Sequence, residues 1–400
     1  MKQISKIVCL ALLAASLVFA LSGCPAKKTA EGGESQLAAG AHAAEDVIKI
    51  GVFQPMTGAN AAGGAMEVEG ITLANELNPT VAVGGKTYKV ELVIVDNKSD
   101  KVEAANAVQR LVDRDKVNVI LGSWGSSLSM SGGEVSRDRV PAIGLSCTNP
   151  LVTAGNDWYF RVCFIDPFQG TVMANYAYND LGARTAVIVQ EVANDYSVGL
   201  AKFFVDNFIR LTGNPNAILA TVNYNTGDLD FSAQLTTIRA RNPDVIFAPG
   251  NYTESALVMK QARELGINTP IIGGDTWETP EFIDVGRERV EGAVFSTFFA
   301  AEYAGSPEAQ TFLSEYAKRY NKEPAAVTAL GYDGYLVALD AIKRADSTDP
   351  AKIRDAIAET EDFVGATGIV TLDDNGDATK SAYIKAVENG KFVFRTIVHP

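Results

Sequence analysis

The residues best suited to hold a small ligand converge on one stretch, Val119 to Pro150. It runs Val-Ile-Leu-Gly-Ser-Trp-Gly-Ser-Ser, then a polar amphipathic segment from Leu128 to Arg139, then Val-Pro-Ala-Ile-Gly-Leu-Ser-Cys-Thr-Asn-Pro. An apolar run ending in a Gly/Ser turn, then a helix and a second apolar run, is the pattern of a βαβ unit in a parallel sheet. Ser126 and Ser127 would end one strand, and Ser146 and Thr148 the other, at the carboxyl edge where open α/β sheets take small molecules. With Ser126 or Ser127 as the N-cap, backbone N–H groups and the positive end of the helix dipole face the crevice. That is a carboxylate site in outline. A lone serine before a helix is more often only a cap; two such strand ends side by side favour a ligand.

Other chemistries find little support. Gly58, Gly63 and Gly64 follow the first strand but match neither the dinucleotide fingerprint nor the phosphate-binding loop with its lysine, so a flexible cleft edge is expected there. The two histidines, His42 and His399, fall in a polar leader region and beside the C-terminus, and neither completes a metal or nucleophile motif. No cofactor or metal is expected, and the reading is against an enzyme. The formal net charge of −13, with no clustered Lys and Arg, argues against nucleic acid as a partner.

The chain starts with export chemistry. Lys2 and Lys6 precede an apolar run from Ile7 to Leu21, short for a permanent transmembrane helix and placed as a secretory signal should be. The run ends in Leu21-Ser22-Gly23-Cys24, which resembles the bacterial lipobox, so residues 1–23 are expected to be removed and Cys24 lipid-modified. Residues 24–45, with little to bury, read as a tether. The expected location is exported, anchored to a bacterial membrane by the lipid, on the periplasmic or extracytoplasmic face. Of the four cysteines, Cys147 and Cys163 remain for the folded part. In an exported chain they could pair, but their spacing proves no disulfide, and buried free thiols are an equal expectation.

From Ile48 onward strands and helices alternate. Strands are expected at Ile48–Gln54, Tyr88–Asp96, Thr185–Gln190, Ala217–Val222, Val245–Ala248 and Ile271–Gly273. Helices are expected at Met66–Leu77, Lys101–Asp115, Phe168–Leu181, Val198–Leu211, Phe231–Arg241 and Ala256–Leu265. Such a series gives mostly parallel sheets with helices on both faces, and so many strands favour two lobes over one sheet. The fold class is therefore α/β, two doubly wound parallel-sheet lobes.

Several segments carry a family resemblance: Ile50 to Gly58, Gly122 to Ser127, Ser146 to Pro150, Phe160 to Phe164 and Gly273-Gly274-Asp275. They resemble the leucine/isoleucine/valine-binding type of periplasmic solute-binding protein, over nearly everything from Ile48 to the end. The resemblance implies a clamshell with crossings near 164–166, 297–300 and 365–368. Lobe one would hold 46–165 and 298–366, lobe two 166–297 and 367–400, with the last hairpin around Asp373 to Gly376. It further implies a monomer that binds a free amino acid, with a branched-chain one as the first candidate, and delivers it to an ABC-type membrane permease.

Carried over residue by residue, the family's carboxylate site falls on Ser126 and the Thr148 N–H. Its ammonium site falls on the Ser146 carbonyl, the Thr148 hydroxyl and Asp275. Trp124, Tyr196, Tyr252 and Trp277 would shape the side-chain pocket. Asn251 is a second candidate for the position beside Tyr252. The chain departs from the family at Ala61 and Ala62, where leucine-type proteins place a tyrosine. An amide, urea or aromatic-acid binder of the same fold, or a sensing domain, are the alternatives.

Overall fold

The computed structural model describes residues 46–400. The expected signal, Cys24 and the tether lie outside the described residues. Strands β1 (Val47–Gln54), β2 (Thr80–Val83), β3 (Lys86–Asp96), β4 (Val119–Leu121), β5 (Ala142–Gly144) and β6 (Tyr159–Arg161) form the first sheet, in the order β2-β3-β1-β4-β5-β6. All its pairings are parallel except the β2–β3 hairpin across Gly84 and Gly85. In the second sheet β7 (Ala186–Glu191), β8 (Ile218–Tyr224), β9 (Val245–Phe247), β10 (Ile271–Gly273) and β11 (Val294–Thr297) run parallel. Two short strands, β12 (Phe363–Gly365) and β13 (Gly368–Val370), pair only with each other. The chain then joins the second sheet as β14 (Ala382–Glu388) and β15 (Lys391–Val398), giving the order β15-β14-β11-β10-β9-β7-β8.

The central strands are short apolar runs, Val-Ile-Leu, Val-Ile-Phe and Ile-Ile-Gly, with every residue buried. Strands covered by helices on both faces need this composition and lose the alternation of a half-exposed strand. Strand order reverses between β1 and β4 in the first sheet and between β7 and β9 in the second, so each sheet opens a crevice at the carboxyl ends of those strands.

Helix ends follow local rules in several places. Asp100 accepts from the N–H groups of Val102 and Glu103 ahead of Lys101–Arg110, which continues as a π turn through Leu111–Asp115. Asn194 caps Asp195–Thr212, and Gly213, at φ 64°, ends it. Ser126–Ser136 departs from the expectation of a serine cap: its N-cap is Gly125, at φ 94°, and no side chain caps it. Ser126 and Ser127 are instead bonded elsewhere.

Two expected features need correction. Residues 365–368 are the turn of the β12–β13 hairpin, held by Asp333, whose carboxylate accepts from the Ala366 N–H (2.6 Å) and the Thr367 N–H (2.9 Å). The turn from Asp373 to Gly376 rests on the first sheet, where the Arg161 N–H donates to the Gly376 carbonyl and the buried Arg161 guanidinium pairs with Asp377 at 2.6 Å. The hairpin of the second sheet is β14–β15. Cys147 and Cys163 are both free and buried.

Late in the chain, Pro307–Tyr320 and Ala326–Ala345 return to cover the first sheet beside Ala61–Leu77. Hydrogen bonds join them, from Tyr335 Oη to the Asn78 carbonyl (2.7 Å) and from Tyr316 Oη to Glu69 (2.5 Å). The close approach depends on two glycines. A Cβ on Gly70 would stand 1.9 Å from the Thr328 carbonyl oxygen, and one on Gly331 would stand 2.3 Å from that of Glu67. Gly70→Ala should therefore force the helices apart and lower stability by about 1–3 kcal/mol, measured by denaturant unfolding. An unchanged midpoint would mean that the helices separate without loss.

Candidate functional site

The crevices of the two sheets face each other and enclose a cavity of about 170 Å³. From the first sheet come Trp124, Gly125, Ser126 and Ser146; from the second come Glu191, Asn194, Tyr196, Asn251 and Asp275. All the expected pocket residues except Thr148, Tyr252 and Trp277, which is fully buried and stacked on Phe282, therefore lie on its wall.

Trp124 owes its place to the glycines expected to be a flexible edge. The helix starts at Ala61, so Gly63 and Gly64 are helical, and a Cβ on Gly63 would lie 2.4 Å from the Trp124 ring. The turn is thus a packing surface. Trp124 is further held by its backbone N–H, which donates to Gln54 Oε1 at 2.7 Å.

With Gly125 as N-cap, the start of Ser126–Ser136 opens on the cavity without side-chain competition. The Ser126 hydroxyl accepts from the Asn149 N–H at 3.1 Å. Such a helix end favours an anion. Asp275 stands at the end of β10, 3% exposed, and its Oδ1 accepts from Gln169 Nε2 (2.7 Å) and Tyr196 Oη (2.9 Å). Oδ2 receives no protein donor among the described hydrogen bonds. The cavity thus offers an anion-binding end and a carboxylate, the polarity a zwitterion requires.

Thr148 lies behind the wall. It is fully buried and its carbonyl accepts from the Asp166 N–H at 2.9 Å. Its hydroxyl lies beside the Asp166 carboxyl, and neither has a well-formed bond to another protein group. Tyr252 closes the cleft. Its hydroxyl donates to the Ala59 carbonyl (2.8 Å) and accepts from the Ala62 N–H (3.3 Å), and its ring meets Trp124 edge to face. Asn251 Nδ2 likewise donates to Asn60 Oδ1 at 3.0 Å. At the opposite rim Asp195 receives Lys101 (2.8 Å) and the Ser127 hydroxyl (2.7 Å), and its carbonyl accepts from Asn149. These bonds all run between elements of the two sheets, which are closed on one another.

Sequence reasoning missed Glu67, Asp166, Gln169 and Asp195. One signal was available for Glu67: with Gly70, Ile71 and Ala74 it shares the i, i+3, i+4, i+7 face of its helix, where a charge is out of place. For Asp166 and Gln169 no local pattern marks the role.

Burial raises three carboxyls around the site. Desolvation lifts Glu67 to about 8, against bonds from Ser146 and Gln54. It lifts Asp166 to about 8 and Asp275 to about 6, and the charge of Asp275 raises the other two further. Each binds a proton more readily folded than unfolded, so each favours the folded state at low pH. That contribution is lost as pH climbs from the ordinary carboxylate range through 6 to 8. Acids whose values are lowered, among them Asp96 and Asp244, are already ionised throughout that window. Ligand-free protein should thus be less stable at pH 8.5 than at pH 5.5 by about 1 kcal/mol or more, read from urea midpoints. Equal stability would show that these carboxyls are not perturbed. Tyr252→Phe, which keeps the ring and removes two bonds between the sheets, should weaken closure by about 1 kcal/mol. Small-angle scattering of the ligand-free variant should show a larger radius of gyration than the parent, and an identical radius would remove the latch.

Comparison with known proteins agrees with this geometry. The family model described as periplasmic binding protein matches residues 47–391. The Leu/Ile/Val-binding protein homolog 1 of Brucella suis is 27% identical over 352 residues, 87% of this chain and 92% of that protein. An amino acid binding protein of Pseudomonas aeruginosa is 29% identical over 86% of this chain and 90% of its own. Among solved structures, a leucine binding protein from Thermotoga maritima is 45% identical, with a TM-score of 0.85 over 88% of this chain and 99% of that one. A branched-chain amino acid transporter substrate binding protein from Streptococcus pneumoniae, solved with isoleucine, is 33% identical, with a TM-score of 0.82 over 88% and 100%. A match across nearly the whole described chain, with the site at the paired crevices of two α/β lobes, makes this chain a member of the periplasmic binding protein family.

Proposed function

We propose that this protein captures a free branched-chain amino acid by hinge closure and delivers it to an ABC importer. The observation that carries the reading is the pairing, within one cavity, of the open N-terminus of Ser126–Ser136 with the buried carboxylate of Asp275. The α-carboxylate meets the helix end and the Ser126 hydroxyl. The α-ammonium meets Asp275, a buried carboxylate whose Oδ2 has no protein donor among the described hydrogen bonds, and the carbonyl of Ser146. Trp124 and Tyr196 supply apolar surface for the side chain. The solved relatives named for leucine and isoleucine support the branched-chain choice. In this reading Cys24 carries the lipid, residues 24–45 tether the protein to the membrane, and it acts as a monomer without chemistry on its ligand.

A thermal-shift screen of the part from Asp46 onward, refolded to strip carried-over ligand, tests it. Leucine, isoleucine or valine at a hundred times its dissociation constant adds about 2.7 kcal/mol to the folded state. A shift with an amide or aromatic acid alone would discard the substrate and keep the fold. Asp275→Ala should cost about 3 kcal/mol or more of amino-acid affinity, because the ammonium is left buried and unpaired. Isothermal titration reads it, and a loss below tenfold would separate Asp275 from the ammonium.

A further inference from the structure

Glu67 is fully buried on the helix Ala61–Leu77 and has no basic partner among the described residues. Its Oε1 meets the Ser146 hydroxyl and its Oε2 meets Gln54 Nε2, each at 2.5 Å. Gln54 in turn accepts from the Trp124 N–H. One carboxyl thus ties together the carboxyl ends of β1, β4 and β5, which form the cavity wall of the first sheet. Gly331 packs directly on the Glu67 carbonyl, so this part of the helix cannot drift.

The hydrogen-bond inventory decides where a proton can sit. Gln54 Nε2 only donates, so Oε2 must accept in either charge state. A proton on Glu67 therefore occupies Oε1 and points at Ser146, whose hydroxyl must then turn its own hydrogen away. When Glu67 is ionised the Ser146 hydroxyl donates to it, and the oxygen lone pairs of Ser146, a wall residue, are free for a cationic donor.

We propose that Glu67 is a positioning residue for the ammonium end of the site, whose loss of a proton to solvent on ligand uptake turns the Ser146 hydroxyl into an acceptor. This rests on the amino-acid reading of the cavity. Burial holds Glu67 near 8, so around neutral pH the empty site keeps it mostly protonated, and an incoming ammonium favours the ionised form. The titratable groups that act on it are Asp275 across the cleft and Cys147 and Tyr159 behind it. On the helix packed against its own, Tyr332 is engaged by Glu308, and Asp333 by Ala366 and Thr367. On its own helix, Glu69 is engaged by Tyr316 and Lys322.

Glu67→Gln tests this, because the amide oxygen still accepts from Gln54 while its NH2 donates to Ser146, a permanent copy of the protonated state. Leucine, isoleucine and valine are titrated calorimetrically into the protein at pH 7 in buffers of different ionisation enthalpy, and again at pH 6 and pH 8. The parent should release protons on binding, and the variant at least about a third of a proton fewer. The variant should also bind about tenfold more weakly at pH 8, with a smaller deficit at pH 6. Ser146→Ala, which cuts the same link from the other side, should lower the proton release as well and covers the case in which the first variant does not fold. Unchanged proton release in whichever variant folds overturns the inference while leaving the amino-acid reading intact. Failure of all three amino acids to bind the parent overturns that reading, and the inference with it.

Discussion

Three carboxyls, Glu67, Asp166 and Asp275, sit buried around one cavity with no arginine or lysine to neutralise Glu67 or Asp275 among the described residues. Such an arrangement costs free energy in the empty protein and is tolerable only because the groups hold protons or accept strong neutral donors. A ligand bearing a positive charge supplies what the protein withholds. The rest of the architecture, two crevices brought face to face and latched at both rims, excludes water so that this complementarity acts in a low-dielectric setting.

Closure itself relies on modest bonds. The latches are a tyrosine hydroxyl to a carbonyl, an amide to an amide and a rim ion pair whose partners are about half exposed. Each contributes little alone. That suits a binding protein, because a lobe interface too strong when empty would leave the ligand no differential free energy with which to shift the equilibrium. The buried polar bonds that must not break, Asp333 to the β12–β13 turn and Arg161 to Asp377, lie away from the latches and hold the return of the chain between the sheets.

The division of labour between the lobes follows from their sheets. The first lobe presents helix N–H groups and hydroxyls on a wall stiffened by Gln54 and Glu67. The second presents Asp275, held by Gln169 and Tyr196. The first lobe supplies the anion-binding end and only neutral acceptors for a cation, and the carboxylate of Asp275 comes from the second, so recognition of a zwitterion is coupled to closure of the cleft.

Much of the fold was legible because it rests on local composition. Fully apolar triplets mark β4, β9 and β10, and the alternation of strands and helices implies parallel sheets whatever the details. The strand ends that carry Trp124, Ser126, Ser146, Tyr196, Asn251 and Asp275 follow from that alternation, since ligands gather at the carboxyl edge. Local composition and alternation were therefore enough for a two-lobe α/β fold and for the strand edge at which ligands gather. Contacts remote in the chain account for the rest: Thr148 lies behind the wall, Tyr252 latches instead of lining, Gly125 and not a serine starts the helix, and Glu67 joins three strand ends. Those outcomes depend on which backbones approach within ångströms of each other, at Gly63 and Trp124 or at Gly331 and Glu67, and no spacing along one segment records a distance to another.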